Sequence, residues 1–473
     1  MSDVFTVDRL YGTLAPSDHR SRSFQNGEIP VAVYGLGKLG LPVAATLAKA
    51  SSNVIGADVD PDVVRDIQAG RSHVDGEPGL DGLVEEVVED GSLRAVQDPA
   101  TAAHEAAIHV IVVPTLLDDD GEPDLATLVA ATSSIAAGLD PGDLVLLEST
   151  VPPGTTAEML EPSLAAASGL DPSEFGVAFC PERISSGRAL KDIRRAYPKL
   201  VGGTDGAATE AAALVYEHVT ENEVIRLDDA TTAEAVKVFA GVYRDVNIAL
   251  ANEFARYADE LGVDVETVTE AANSISVTNI LEPGIGVGGH CIPVYPQFLT
   301  KTNAVDGPVI PAARALNDDM PAYAVDRLAD ELAERDTDIG DATVLLLGLA
   351  YRGDVAETRN SPPIAIAELL AQYGTRVLAV DPVLDDEAFE GLPVENVSLR
   401  TAAAAEPDAT ILGTDHDAFQ TIDWTAFEPM VVLDGRNALD LGGTTHRHCR
   451  LGDGDVPAAN SHWLDADPQR SQQ

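Results

Sequence analysis

From about residue 29 the chain sets short apolar runs against longer helical stretches. IPVAVYG, SNVIGADV, AIHVIVVPT, DLVLLEST and FGVAFCP read as buried strands, with Ala-rich segments of helical periodicity between them. Continuous apolar strands separated by helices predict a parallel α/β sheet. From about 206 to 315 the pattern changes to long Ala-rich helices, GAATEAAALVYEHV and TAEAVKVFAGVYRDVNIALANEFARYADEL, without an obvious strand series. Apolar positions on more than one side of such a helix predict neighbours on more than one side. Alternation resumes in ATVLLLGLAY, TRVLAVDP, ATILGTD and MVVLDGRN, with PPIAIAELLAQYG as a helix among them. The expected organisation is an N-terminal extension (1–28), an α/β domain (29–205), a central helical domain (206–318), a second α/β domain (319–445) and a C-terminal surface tail (446–473).

Composition adds a constraint on surface and partners. With 473 residues and 45% hydrophobic content, the chain has material for a large core and two to three domains. It carries 78 Asp plus Glu against 30 Lys plus Arg, a formal net charge of −48. Such a surface repels nucleic acid and anionic membranes, so neither is an expected partner. The acids are scattered through patterned segments and therefore belong to a folded surface. Lysine is scarce and Arg carries most of the positive charge, a balance that resembles proteins of salt-loving organisms. The N-terminus has no basic start followed by an apolar run, and no apolar stretch is long enough to span a bilayer; the expected location is cytoplasmic. Cys180, Cys291 and Cys449 are widely spaced with no CxxC pair, which predicts free thiols and no metal site.

Four motifs carry candidate chemistry. In VAVYGLGKLG the residues Gly35, Gly37, Lys38, Leu39 and Gly40 form a GxGxxG loop between a predicted strand and a predicted helix. Such a loop lets backbone approach a pyrophosphate whose charge sits at the helix N-terminus. Asp58 follows about twenty residues on, at the end of the next predicted strand, where a carboxylate accepts from a ribose 2′-hydroxyl and repels a 2′-phosphate. The expected cofactor is NAD, against the alternative of a purely structural turn; Lys38 either touches phosphate or is simply solvated. In FCPERISSG, Glu182 and Arg183 emerge at the carboxyl edge of a strand, where ligands of open α/β sheets bind, or else form an ordinary ion pair. Lys237 lies among apolar residues of the long central helix, placed either for proton transfer or to cover apolar surface with its stem. Cys291, in GVGGHCIPVYPQF, is either a packed thiol or a nucleophile wrapped by glycines and helped toward thiolate by His290 or Lys237. A thiol beside NAD traps an aldehyde as a thiohemiacetal, which a second NAD oxidises to a thioester, and water then releases an acid. That sequence removes four electrons from an alcohol.

GLGKLGLP, VVPT at 112–115, ESTVPPGTT at 148–156, CPERI, KVFAGVYRDVNIALANE, GVGGHCIPV, LGLAYRGDVAETRNSP and LDGRNALD occur in order over about residues 30 to 440. In this the chain resembles the UDP-glucose/GDP-mannose dehydrogenase family. The resemblance implies an α/β protein of two Rossmann-like doubly wound domains joined by a central α-helical domain that dimerises. It also implies roles: Cys291 as nucleophile, Lys237 for the substrate proton and oxyanion, and Glu182 at the thioester or its water. Thr115, Thr150 and Arg359 then lie near NAD, while Arg183, Ile184, Tyr351, Arg352 and Arg436 hold a UDP-sugar. Bidentate Arg contacts at a diphosphate can outweigh a distant, screened surface charge. GGHCIPV with YRDVNIALANE is more similar to the branch acting on UDP-N-acetylmannosamine, which implies oxidation to the uronate. UDP-glucose or UDP-N-acetylglucosamine is the alternative substrate. Two other outcomes are a UDP-sugar-binding protein without turnover and a two-electron dehydrogenase in which Cys291 only packs. Three positions depart from the family pattern: Gly241 where Asn is common, Tyr295 where Asp is frequent, and Val277 in a stretch that often carries a basic residue.

Overall fold

The structure, a computed structural model, describes residues 8–118 and 120–455. It divides into two compact units. The first runs to Ala240 and takes in Gln297–Ala304; the second comprises Gly241–Pro296 and the chain from Val305 onward.

The first unit is built on an eight-stranded sheet. Its members are β1 (Val31–Tyr34), β2 (Val54–Ala57), β3 (Leu93–Val96), β4 (Ile108–Ile111), β7 (Leu144–Leu147), β8 (Gly176–Phe179), β9 (Lys199–Gly203) and β10 (Val224–Arg226). The intervening β5 (Leu116–Leu117) and β6 (Pro123–Asp124) form a separate antiparallel hairpin. The sheet order is β10-β9-β8-β7-β4-β1-β2-β3, parallel throughout except between β8 and β9. Strands β1, β2, β4, β7 and β8 are buried at every residue, because helices cover both faces, and this explains their unbroken apolar runs. Asp60 and Asp98 cap the helices Pro61–Gln68 and Pro99–Glu105, each accepting a backbone N–H ahead of a proline that fits the first helical turn.

The second unit holds a six-stranded, all-parallel sheet. Its strands are β11 (Thr343–Leu347), β12 (Arg376–Val380), β13 (Glu395–Asn396), β14 (Ala409–Leu412), β15 (Val431–Asp434) and β16 (Arg447–Arg450), in the order β13-β12-β11-β14-β15-β16. Against it packs the helix Val309–Ala333. That helix also meets the long helix Ala230–Leu261, from its middle onward, through buried polar contacts: Arg314 to Asp245 at 2.5 Å and Asn252 to Asn317 at 2.8 Å.

Three expected boundaries move. The N-terminal extension joins the first unit, since Leu10 and Phe24 enter the first hydrophobic core. The helix Gly206–Glu217 and β10 belong to the first sheet rather than to a central helical region. The short β10 and the two glycines at the end of β9 leave little periodic signal. The expected tail contributes β16, whose largely polar residues suit an edge strand and whose Cys449 is buried. Residues 456–473 of that tail lie outside the described residues.

Candidate active site

In the first unit the candidate residues gather at the carboxyl edge of the sheet. Gly35 leaves β1 at φ +86°, and a Cβ there would come within 2.7 Å of the Val112 carbonyl, so the turn requires glycine. Gly37 is exposed, and a Cβ added to it would meet nothing within 4 Å, which leaves the loop open just ahead of the helix Gly40–Ser51. This is the form a pyrophosphate needs: bare backbone N–H groups at a helix N-terminus. Lys38 is exposed and Leu39 half-buried. Asp58, at the end of β2, accepts the Leu36 N–H at 2.7 Å and the Asp60 N–H at 3.0 Å. Each carboxylate oxygen keeps further lone-pair capacity for a ribose hydroxyl. The residues therefore fit NAD.

Thr115, beyond β4, donates its hydroxyl to the Thr150 carbonyl, beyond β7, at 2.5 Å, so the two expected cofactor residues meet. Glu182 follows β8 and is buried; its Oε1 accepts the Arg183 N–H at 2.6 Å. Lys237 Nζ donates to the Glu182 carbonyl, which brings two of the three expected catalytic residues together. Lys237 is held one helical turn beyond Glu234, whose buried carboxylate accepts N–H groups of Gly154 at 2.6 Å and Thr156 at 2.8 Å. Glu234 thus ties the ESTVPPGTT loop to the helix. Burial pushes its carboxyl above the usual range against those hydrogen bonds. Arg183 lies over the Tyr197 ring, 5.6 Å from its centroid, and donates to the Pro198 carbonyl. Burial lowers its pKa, with the Glu182 charge opposing. Ile184 packs partly buried on the first core.

The second unit carries the cysteine. Gly289 donates to the Arg359 carbonyl at 2.9 Å, and the Asn360 amide returns a bond to the Gly289 carbonyl at 2.9 Å. A side chain at Gly289 would sit 2.9 Å from the Tyr351 ring, so the glycines let the loop lie flat on that tyrosine. Cys291 is half-buried and in side-chain hydrogen-bond contact with His290, and this contact holds the imidazolium above its ordinary range against the effect of burial. Burial raises the Tyr351 phenol, and the Cys291 charge adds to the effect. Arg352 and Arg359 lie on the loop that carries Tyr351. Arg436 follows β15 and donates to the Gly413 carbonyl at 2.8 Å; burial lowers its pKa to about 10, opposed by Asp415 and Asp434.

The departures from the family pattern acquire a physical reason. A Cβ at Gly241 would lie 2.0 Å from the Tyr295 ring. Tyr295 is buried and fills the space that a side chain at 241 would take, so Gly241 and Tyr295 are a matched pair rather than two losses. Val277 is exposed, and nothing in the structure explains its replacing a basic residue.

Sequence reasoning misses Glu148, Lys199, Tyr216 and Glu234. The scarcity of lysine is the signal that could have drawn attention to Lys199; Glu148 stands at the head of the ESTVPPGTT motif without a spacing that marks it.

A dinucleotide cradle at the carboxyl edge of a doubly wound sheet defines the class, an NAD-dependent dehydrogenase. The sequence matches the NAD binding domain of the UDP-glucose/GDP-mannose dehydrogenase family over residues 29–220, its central domain over 231–319 and its UDP binding domain over 345–441. The chain belongs to that family. It is 35% identical over 436 residues to the UDP-N-acetyl-D-mannosamine dehydrogenase of Pyrococcus horikoshii, covering 90% of this chain and 100% of that one. It is 36% identical over 417 residues to an NDP-N-acetyl-D-galactosaminuronic acid dehydrogenase of Ralstonia nicotianae, covering 86% and 95%. A solved UDP-D-ManNAc dehydrogenase from P. horikoshii superposes with a TM-score of 0.83 at 34% identity, over 90% of this chain and 100% of that one.

Proposed function

We propose that the protein oxidises C6 of UDP-N-acetyl-D-mannosamine to UDP-N-acetyl-D-mannosaminuronate, with Cys291 as the nucleophile. The observation that carries the reading is Cys291 paired with His290 in a loop that glycines hold against Tyr351. The acetamido sugar follows the kinship with proteins named for UDP-N-acetyl-D-mannosamine.

NAD would be held by Gly35, Gly37, Lys38, Leu39, Gly40, Asp58, Thr115 and Thr150, with Arg359 added by the family resemblance, and would supply the electron acceptor in both oxidations. In the first, Lys237 receives the proton of the C6 hydroxyl and steadies the oxygen as the carbonyl forms. The Cys291 thiolate then bonds to the aldehyde carbon, giving a thiohemiacetal whose oxidation leaves a thioester. Glu182 takes a proton from the water that attacks the thioester carbon, and the C–S bond breaks to return the thiolate. One alcohol and one water thus give up two hydrides and three protons and leave a carboxylate. Arg183, Arg352 and Arg436 supply cations for the diphosphate, with Ile184 and Tyr351 beside the sugar nucleotide.

A homodimer is part of the same proposal. Tyr243, Leu250, Phe254, Tyr257 and Leu261 are exposed at spacings of seven, four, three and four along one face of the long helix. That spacing suits the seam of a helix pair. The acidic surface suits a salt-rich cytoplasm, and among the described residues no helix is long and apolar enough to cross a membrane.

The test is a panel of UDP-N-acetylmannosamine, UDP-N-acetylglucosamine and UDP-glucose in high salt, with the acid product measured. The highest kcat/KM should fall on UDP-N-acetylmannosamine, and Cys291→Ser should form no acid. A higher kcat/KM for UDP-glucose would overturn the substrate assignment.

A further inference from the structure

The first unit buries a charged cluster of which the proposed reaction uses only Glu182. Glu148 follows β7 and Glu182 follows β8. Because β9 runs antiparallel to β8, with Phe179 paired to Gly202, its first residue, Lys199, comes level with Glu182 beyond the carboxyl end of β8. Lys199 Nζ lies 3.3 Å from Glu148 Oε1 and 3.6 Å from Glu182 Oε2, and 4.3 Å from the centroid of the Tyr216 ring. The Tyr216 hydroxyl donates to Glu148 Oε1. Glu148 is fully buried, and its Oε2 accepts no hydrogen bond from any described protein donor, yet its carboxyl touches that of Glu182. Glu148, Glu182, Lys199 and Tyr216 also line a cavity of about 30 Å³, room enough for a water.

Two buried carboxylates in contact, with one ammonium between them, cannot both ionise cheaply. A single proton between them satisfies the orphaned Glu148 Oε2 and leaves one negative charge opposite one positive. We propose that Glu148 and Lys199 are positioning residues for Glu182: Lys199 fixes its Oε2, and Glu148 shares one proton with it. This rests on Glu182 acting as the base of the proposed reaction. When the attacking water loses a proton, that proton goes to Glu182 and the shared one settles on Glu148 Oε2. The pair becomes neutral while Lys199 stays an ammonium, and loss of one proton to solvent resets it.

The groups facing Glu148 are Glu182 and Cys180 beyond β8, Lys199 of β9 and Tyr216 of the helix Gly206–Glu217. Burial pushes the Glu148 carboxyl above the usual carboxylate range, opposed by Lys199 and reinforced by Glu182. Burial alone would lower Lys199, but Glu148 and Glu182 outweigh it and leave the ammonium raised.

The test has two arms. Infrared difference spectra of the unliganded protein at pH 7 should show the carbonyl stretch of a neutral carboxyl that disappears in the near-isosteric Glu148→Gln. In the second arm, Lys199→Met should lower kcat about 100-fold through misplacement of the base, with KM nearly unchanged. The acidic limb of its pH profile should move to higher pH, the acyl-enzyme on Cys291 should accumulate, and Lys199→Arg should recover most of the rate. No neutral carboxyl in the wild type, or a Lys199→Met enzyme slowed in the first oxidation rather than in acid release, overturns the proposal. A wild type that makes no NADH from any UDP-sugar would instead overturn the reading of the reaction, and the infrared band alone would then decide whether the proton is shared.

Discussion

Gly35 and Gly348 leave the first strand of their respective doubly wound folds with the same φ of +86°, but the loops they open are put to different uses. Asp58 and Asp381, each beyond the second strand of its fold, accept the next N–H of those loops, from Leu36 at 2.7 Å and from Leu349 at 2.8 Å. The difference lies one residue further on. Gly37 is exposed with open space above it, whereas Ala350 is fully buried, donates to Asp381 at 3.0 Å and has its carbonyl taken by the Thr414 hydroxyl. The first loop runs straight into the helix Gly40–Ser51, while the second wanders through Tyr351, Arg352 and Arg359 before its helix starts at Pro362. One fold keeps its helix N-terminus bare for phosphate; the other has closed that cradle and uses the freed chain to present side chains.

The largest expected effect tests that contrast directly. Gly37→Val should weaken NAD binding by at least about 100-fold, some 2.7 kcal/mol, in a calorimetric titration. Ala350→Gly should leave NAD affinity within about twofold, because the second loop is already closed to phosphate. Equal losses from both changes would break the comparison.

The matched pair in the second unit comes next. Gly241→Asn forces a side chain into the Tyr295 ring and should cost about 3 kcal/mol in urea unfolding. Adding Tyr295→Asp should recover about 2 kcal/mol of that loss. Simple additivity of the two changes would mean that the residues are not coupled.

Asp381 separates the two aspartates by pH. Burial tends to raise its carboxyl, but His416 and the N–H groups of Ala350, Val383 and Leu349 prevail and lower it to about 2. A carboxylate held below its unfolded value contributes stability that is complete above about pH 4 and is lost as the pH falls through about 2. Asp381→Asn should therefore cost about 2 kcal/mol at pH 7, and the gap to wild type should close toward pH 2. A gap independent of pH would exclude the charge as its source.

The smallest effect concerns the thiol. His290→Asn should slow alkylation of Cys291 at pH 7 about tenfold by removing the imidazolium that favours thiolate. An unchanged rate would leave the thiol activated by some other group.

Legibility in the sequence follows whatever short spacing encodes. The GLGKLG turn, Asp58 one strand later and Cys291 behind its glycines are local patterns, and the parallel strands announce themselves by apolar runs because both faces are buried. What stays hidden depends on sheet order and packing. Lys199 reaches Glu182 only because β9 reverses against β8, and no local pattern marks an antiparallel strand in a parallel sheet. Tyr295 meets Gly241 through packing between remote segments, so in one dimension the pair looks like two unrelated departures. β16 reads as tail because a mostly polar edge strand lacks the apolar run of a central one.

The central claim is that Cys291 carries the sugar through both oxidations. Counting NADH against UDP-N-acetylmannosamine consumed tests it most directly. Two NADH per sugar, with the acid as product and no acid from Cys291→Ser, is the expected result. One NADH per sugar, unchanged by Cys291→Ser, would contradict it.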